Sequence, residues 1–518
     1  MAFEITSPNT GTTLSAQATA SQLYQKTLDV YEQTTDFWQQ FEGTGRDALI
    51  RTNTDVSKGA GQTINIRSLA GFYYEPTEGD ELFEESADFE NFVMQDYQLK
   101  VDYIRWATRM TERSEEFMGL RGELKAGIPR EAGKWLGRIK SERMFMTMRE
   151  RASSDNQINA NGAVIAPKTH TSTLLTADTL TYDEIIASCT RLKSLGGEPA
   201  TVKTQGKNSI KGFVVVGCTD ALFSLETDTT YQSNLRTGGV RGNGNLLFSG
   251  GYTDVRGNII CEYNPIDHDG MGAVGSPLNP KAFAGKATRV TASGCDDIIA
   301  DADTAANTIY GGGNDSASTN NPTKRLYFKW FPGYNYQLSV GDTVGADAGP
   351  WYALAINPPN STNANKVIFF RYTTNDGNKL TCTGAATKGD DGIGGTGAVG
   401  IDASASSKWY DFVGEDIDVG ATIIPCTEDG VPYADTLFLS KAAAIRGYGK
   451  HRNKRGEDSR EDGFINDLFI RSVFGQSLRE DAAGKKPGVV RLRHAISYPG
   501  LSLPTITAYG TATDTAAG

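Results

Sequence analysis

The pattern in this sequence that comes nearest to a cofactor site is Gly392-x-Gly394-x-x-Gly397. A dinucleotide-binding motif of this form follows a strand and opens a helix, because the amides at the helix start contact the pyrophosphate. Here the motif lies between KGDD and AVGIDASASS, in a segment that is rich in glycine throughout. We therefore expect a loop at this position and no bound cofactor.

Catalytic and metal-binding patterns give equally little support for an enzyme. The sequence has no GxxxxGK[ST] phosphate loop, no HExxH zinc motif and no GxSxG nucleophile motif. Zinc sites need clustered imidazoles or thiolates, whereas this chain has four scattered histidines and no CxxC pair. We therefore expect no catalytic residues and no metal site. We also expect the cysteines to be free thiols in a reducing compartment: Cys189, Cys218, Cys261, Cys295, Cys382 and Cys426.

An acidic run is the most unusual charge pattern of the chain. Eight of the 16 residues from 75 to 90 are Asp or Glu. Such a run is usually a solvated loop, but if it is ordered it needs a basic surface to neutralise it. The candidate contact residues in this acidic segment are Glu75, Glu78, Asp80, Glu81, Glu84 and Glu85.

Residues 121–151 form a basic counterpart, with nine Lys or Arg against four Glu. Their composition predicts one long helix, whose regular part we expect to begin near Pro129, with Gly133 and Gly137 weakening its middle. Acidic segment and basic helix are candidate partners, within or between subunits. The helix residues proposed for the contact are Arg130, Lys134, Arg138, Lys140 and Arg143.

The elements around these segments follow from hydrophobic periodicity. Apolar residues at helical spacing predict an amphipathic helix from Ser21 to Glu42. After the acidic run, Tyr97, Leu99, Val101 and Tyr103 alternate with polar residues and predict a strand of a ribbon that is covered on one side. The apolar run Phe213–Val216 predicts a buried strand.

Residues 266–430 differ in composition from the segments on both sides of them. Gly, Ala, Asn, Asp, Ser and Thr dominate, and short apolar runs are separated by turn residues, which indicates an all-β module. Its aromatic residues could line a sugar-binding site, although such residues more often pack a small β core: Trp330, Tyr334, Tyr336, Trp351 and Tyr352.

Length and charge limit the function classes further. A chain of 518 residues with 38% hydrophobic residues can form two to four domains with their own cores. The net charge of −11 argues against a protein that coats nucleic acid. No apolar stretch is long enough to span a membrane, and the start MAFEITSPNT does not resemble a secretion signal.

The order of these elements resembles the major capsid proteins of tailed phages with the Hong Kong 97 type fold, and in particular the N-four-like podovirus branch. The phrases that carry the resemblance are KGAGQTINI, VMQDYQLKVDYIRWATRMTERSEEF, FVVVGCTDALFSLE, LFSGGYTDVRGNIICEYN and DTLFLSKAAAIRGYGK. The resemblance covers residues 20–265 and 431–500, and the segment between them departs from the family plan.

This resemblance implies an α+β capsid fold. The implied divisions are an N-terminal arm (1–50), an E-loop ribbon (51–105), a P-domain with its spine helix (106–165), the first part of the P- and A-domains (166–265), a β-rich insertion domain (266–430), and the completion of the A- and P-domains with a C-terminal tail (431–518). The implied function is self-assembly into the icosahedral shell that encloses a double-stranded DNA genome.

The resemblance also sets the expected partners and location. We expect hexamers and pentamers of identical subunits, with separate scaffolding, portal and decoration proteins as further partners. Contact with packaged DNA would be non-specific at most, and no membrane partner is expected. The protein would be assembled in the bacterial cytoplasm and end in the virion. Two alternatives stay open: another self-assembling phage protein, such as a sheath or tube, and a carbohydrate-binding or adhesive protein that uses the β-rich segment.

Overall fold

The structure is a computed structural model of the whole chain. It describes residues 25–45, 47–53, 63–69, 94–111, 121–165, 174–203, 209–238, 258–263, 421–427, 430–460, 465–481, 484–496 and 507–508, together with short stretches between 285 and 409. All structural statements below concern these residues.

Helices make up the smaller part of the described chain. They are α1 (residues 25–35), α2 (Arg121–Arg151), α3 (Tyr182–Ser194), α4 (Thr219–Thr227) and α5 (Thr229–Gly238), with 3₁₀ turns at Phe37–Phe41 and Ser154–Asn156.

Strands are numerous and differ greatly in length. The first ten are β1 (Glu42–Gly43), β2 (Ile50–Asn53), β3 (Thr63–Leu69), β4 (Met94–Lys100), β5 (Asp102–Thr111), β6 (Gln157–Asn159), β7 (Ala200–Lys203), β8 (Ser209–Gly212), β9 (Val214–Gly217) and β10 (Ile259–Glu262). The next ten are β11 (Gly285–Lys286), β12 (Arg289–Val290), β13 (Asn307–Tyr310), β14 (Tyr336–Ser339), β15 (Asp342–Val344), β16 (Trp351–Ile356), β17 (Val367–Tyr372), β18 (Thr374–Asn375), β19 (Lys379–Cys382) and β20 (Lys408–Trp409). The last six are β21 (Thr422–Cys426), β22 (Tyr433–Leu439), β23 (Ala444–Arg460), β24 (Ile465–Leu478), β25 (Val489–Ala495) and β26 (Thr507–Ala508).

One five-stranded sheet contains the longest of the described strands. Its order is β1-β2-β23-β24-β5, with β23, β24 and β5 antiparallel and β5 at the edge. We call it the long sheet. From β5 the chain leads back through Val101 into β4, which pairs with β3 as an antiparallel hairpin. The acidic segment connects the two strands of this hairpin and lies outside the described residues.

A second five-stranded sheet forms the centre of the largest hydrophobic core. Its order is β10-β9-β22-β25-β6, and every residue of β9, β22 and β25 is buried. The buried strand predicted from Phe213–Val216 is therefore confirmed. Helices α3 and α4 contribute Ile185, Leu192, Leu222 and Leu225 to the same core.

The region from 266 to 430 contains strands and no helix among its described residues. Two four-stranded sheets occur there, with the orders β11-β21-β16-β17 and β12-β13-β19-β18. The described residues combine helices with mainly antiparallel sheets, which confirms the expected α+β class.

Two predicted helix boundaries were wrong. The first helix ends at residue 35 instead of Glu42, because the Asp36 carboxylate accepts a hydrogen bond from the Trp38 amide and starts a 3₁₀ turn there. The long helix spans Arg121–Arg151, which confirms the predicted helix, but its regular part starts at Arg121 instead of near Pro129. A proline inside a helix removes one backbone hydrogen bond, which disfavours the helix. Here the side chain of Pro129 is buried, and its packing offsets this cost.

Candidate assembly interface

The long sheet and two helices form a two-layer unit. One face of the sheet is apolar, and Ile104, Phe474 and Tyr448 on this face pack against Leu136 of α2. Farther along, Ile470 packs against Ala132 of α2 and Leu28 of α1. Strand alternation then places every second residue of β5 and β24 on the opposite face, away from the helices.

The two glycines in the middle of α2 are the points where α1 crosses it. A Cβ atom built on Gly133 would lie 2.7 Å from the Leu28 carbonyl oxygen, and one on Gly137 would lie 2.6 Å from that of Glu32. Glycine weakens an isolated helix, but here the missing side chains let two backbones approach closely. The two glycines that weaken the helix pattern in the sequence are thus the residues that allow α1 to pack closely on α2.

Buried ion pairs join α1 and the turn after it to α2 and β23. Arg446 of β23 donates hydrogen bonds to the carboxylates of Asp36 and Glu42, and the distance to Asp36 is 2.6 Å. It also donates to the carbonyl oxygen of Lys140 at 3.0 Å. Burial alone would lower the pKa of the Arg446 guanidinium, but the two carboxylates outweigh it and hold this pKa well above its ordinary value. Because both carboxylates are paired with Arg446, the cluster fixes how the first described segment packs on α2.

A second buried cluster joins the C-terminal end of α2 to the core sheet. The Asp435 carboxylate accepts from Arg149 at 2.8 Å, Arg491 at 2.6 Å and Arg493 at 3.0 Å. Burial would raise the pKa of Asp435, but the arginines reverse this and hold it well below its usual range. On β25, burial lowers the pKa of His494 to about 4, so this histidine is neutral near pH 7. Both clusters lie inside the chain, and we assign them to its fold.

The basic residues predicted on α2 do not all lie at the surface. Arg130 is exposed and stacks 5.3 Å from the Tyr31 ring centroid, and the ammonium of Lys134 lies 2.7 Å from the Glu131 carboxylate. Arg138 and Arg143 are half-buried. Lys140 has no exposed side-chain surface and pairs with Glu32 of the same chain at 2.9 Å. In this structure Lys140 therefore belongs to the interior.

The acidic candidates Glu75, Glu78, Asp80, Glu81, Glu84 and Glu85 lie outside the described residues. The structure therefore does not place them against α2 or against any other surface.

The face of the long sheet that points away from the helices, here called the open face, was not predicted from the sequence. On this face Tyr103, Arg105, Ala107 and Arg109 of β5 are all exposed, as are Phe469 and Arg471 of β24. The signal was present in β5 as Tyr103, Arg105 and Arg109, which share one face of the strand with Ala107. It was not recognised because Val101 and Tyr103 share one face of the strand, yet Val101 is 3% exposed and Tyr103 51%.

The described residues also bear on metal sites, membrane-spanning helices and cysteines. No group of three or more His, Cys, Asp or Glu able to hold a metal occurs among the described residues. In that part of the chain, no helix is long and apolar enough to cross a membrane. Four cysteines are described as free thiols, three of them buried, and burial raises the pKa of Cys189 and Cys218 to about 12.

Of the aromatic residues predicted in the β-rich region, Trp351 and Tyr352 are buried and Tyr334 is half-buried, whereas the side chains of Trp330 and Tyr336 lie outside the description. Trp351 stacks on the buried Tyr372 with ring centroids 5.7 Å apart. A Cβ on Gly333, which has a φ of +84°, would lie 2.6 Å from the Trp351 ring. Buried rings cannot stack on a sugar at the surface. Trp351 and Tyr352 therefore do not support the carbohydrate-binding alternative.

Comparison with known proteins gives similarity only at the level of structure. No family model matches the chain, and no curated protein matches it. The chain is similar to the capsid of Ralstonia phage GP4, with 12% identity over 90% of this chain and 93% of that one and a TM-score of 0.49. It is also similar to the capsid asymmetric unit of cyanophage Pam1, with 11% identity over 89% and 92% and a TM-score of 0.46. The acid-stable capsid of Helicobacter pylori bacteriophage KHP30 shows 10% identity over 89% and 92%, with a TM-score of 0.44.

Proposed function

We propose that this chain is the major capsid protein of a tailed bacteriophage and assembles with copies of itself into an icosahedral shell around double-stranded DNA. The observation that carries the proposal is the two-layer unit, in which a 31-residue helix packs across long antiparallel strands and a hairpin continues from the edge strand. The sequence resemblance implies this arrangement for the P-domain and E-loop of the Hong Kong 97 type. Phage capsids are also the class of protein named for the similar solved structures.

The finer architecture is part of the same proposal. Residues 1–50 would be the N-terminal arm, 51–105 the E-loop, and 106–165 the P-domain with α2 as its spine helix. Residues 166–265 and 431–518 would build the rest of the P- and A-domains, and 266–430 would be the β-rich insertion. The subunit would belong to the N-four-like podovirus branch and have no catalytic role.

Assembly would use many weak contacts between identical subunits arranged as hexamers and pentamers. An exposed ion pair contributes only about 0–1 kcal/mol, so charge complementarity would set the register of neighbours while apolar packing supplies most of the adhesion. Contacts repeated around a closed shell still hold it together, because a subunit can leave only when several of them break at once. Separate scaffolding, portal and decoration proteins would take part, and contact with DNA would be non-specific.

The acidic segment of residues 75–90 is the proposed source of negative charge at these contacts. Its partner is a basic surface on a neighbouring subunit. On α2 the candidates that lie at or near the surface are Arg130, Lys134, Arg138 and Arg143, because Lys140 is used inside the chain.

Electron microscopy of the purified full-length protein tests the proposal. We expect closed, roughly spherical shells of uniform size in negative stain. Open tubes would instead favour a sheath or tube protein, and isolated small oligomers under all assembly conditions would contradict a shell function.

A further inference from the structure

A lysine, an asparagine and a glutamate meet in the interior of the two-layer unit. The Lys140 ammonium of α2 lies 2.9 Å from Glu32 Oε1 of α1 and 3.5 Å from Asn453 Oδ1 of β23. Asn453 Nδ2 donates to Glu32 Oε2 at 3.3 Å, so one carboxylate contacts both the amine and the amide. Glu32 and Lys140 are 0% exposed, and Asn453 is 4% exposed. Three elements that are distant along the chain thus bring an amine, an amide and a carboxylate together away from solvent.

Aromatic rings enclose this group on the side of the long sheet. The Lys140 Nζ lies 5.4 Å from the ring centroid of Tyr448 and 5.3 Å from that of Phe474, and both rings are buried. Ile104 and Leu136 belong to the same apolar cluster. Because an apolar surrounding removes the water that would solvate both ions, it narrows the free-energy gap between the ion pair and a neutral amine beside a protonated carboxyl. The neutral amine is the nucleophilic form of lysine.

An irregularity in β23 turns Asn453 toward the helices. Tyr448 pairs with Phe474, and the next pair in register is Asn453 with Ser472, so more residues of β23 than of β24 lie between the two pairs. Phe474 and Ser472 are two residues apart and share the helix-facing side of the sheet, which places Asn453 on that side as well. Asp29 of α1 accepts a hydrogen bond from Asn453 Nδ2 at 2.8 Å. This contact fixes the amide with its oxygen toward the lysine.

We propose that Lys140 and Asn453 form an isopeptide bond within one subunit, with Glu32 as the group that transfers the proton. The bond joins α2 to β23 in the folded chain and does not depend on the proposed shell function. The chain modifies itself once, without turnover of a separate substrate.

The reaction exchanges one amine for another at the amide carbon and needs no further reactant. Glu32 takes a proton from the Lys140 ammonium, and the neutral Nζ attacks the amide carbon of Asn453. Glu32 gives this proton to Nδ2 as the bond between Nδ2 and the carbon breaks, and ammonia leaves. Of the two hydrogens still on Nζ, one passes to Glu32 and the other remains on the new amide nitrogen. The contacts of the two carboxylate oxygens with Nζ and Nδ2 match these transfers.

The bond closes a very long loop of the chain. Lys140 and Asn453 are 313 positions apart. A covalent link across a long loop removes conformational freedom from the unfolded chain, which favours the folded state. The long helix therefore stays attached to the long sheet even when the subunit is denatured.

Mass spectrometry of the denatured full-length protein tests the proposal. We expect an intact mass below the sequence mass by one ammonia molecule. After proteolysis we expect one linked pair of fragments, which contains Lys140 and Asn453. An asparagine that cyclises to a succinimide also loses ammonia but leaves no linked pair. The full sequence mass, or a loss of ammonia without linked fragments, would overturn the proposal.

Two variants test the roles of the groups. Arginine stays protonated and glutamine cannot take up the proton, so Lys140→Arg and Glu32→Gln should both show the full sequence mass and no linked fragments. The matched control is Lys134→Arg in the same helix, which pairs with the exposed Glu131 and should keep the linked pair. A linked pair that persists in Lys140→Arg or Glu32→Gln would contradict these roles. The wild-type measurement decides on the bond by itself if a variant does not fold.

Discussion

At the scale of single residues, buried charge decides where the basic residues of this chain go. Lys140 was expected at a subunit contact because it lies in a basic helix. It is instead buried against Glu32, 108 positions away along the chain. A one-dimensional charge pattern cannot reveal such a pairing, since its partner is brought close only by the crossing of α1 over α2.

Arg446 offers the sharpest test at this scale. Changing Arg446→Met should lower the free energy of unfolding of the unassembled subunit by about 3–5 kcal/mol, because Asp36 and Glu42 would remain buried without their cation. Urea unfolding of the soluble subunit measures the change. The exposed Arg479 provides the matched control, and Arg479→Met should change the free energy of unfolding by less than about 0.5 kcal/mol. A small effect for Arg446→Met would contradict the described cluster.

At the scale of elements, periodicity predicted which segments become helices and strands but not how they meet. The long helix, the strand at Phe213–Val216 and the hairpin follow from local patterns, because apolar spacing depends only on neighbouring residues. The exposed arginine and aromatic face of β5 could not be assigned in the same way. Its exposure depends on how far the hairpin covers the long sheet, which is a property of tertiary packing.

Two glycines of α2 test the packing of this element. Gly137→Ala should destabilise the subunit by about 1–3 kcal/mol, because the added methyl group would lie 2.6 Å from the Glu32 carbonyl oxygen. Gly127→Ala is the control in the same helix, since nothing lies within 4 Å of its Cβ position. The control should stabilise by about 0.5–1 kcal/mol through helix propensity. Equal effects in thermal unfolding of the two variants would show that α1 does not cross at Gly137.

At the scale of the whole molecule, two layers with different surfaces suit a subunit of a closed shell. Buried ion pairs join α1 to the helical side of the unit, whereas the opposite face of the long sheet exposes Tyr103, Arg105 and Phe469. Under the proposed function, the acidic segment of residues 75–90 would meet a basic surface on a neighbouring copy.

The most direct measurement is a cryo-electron microscopy reconstruction of the assembled particle. We expect a closed icosahedral shell that is built from copies of this chain. Open tubes, or an assembly of any other form than a closed shell, would contradict the proposed function.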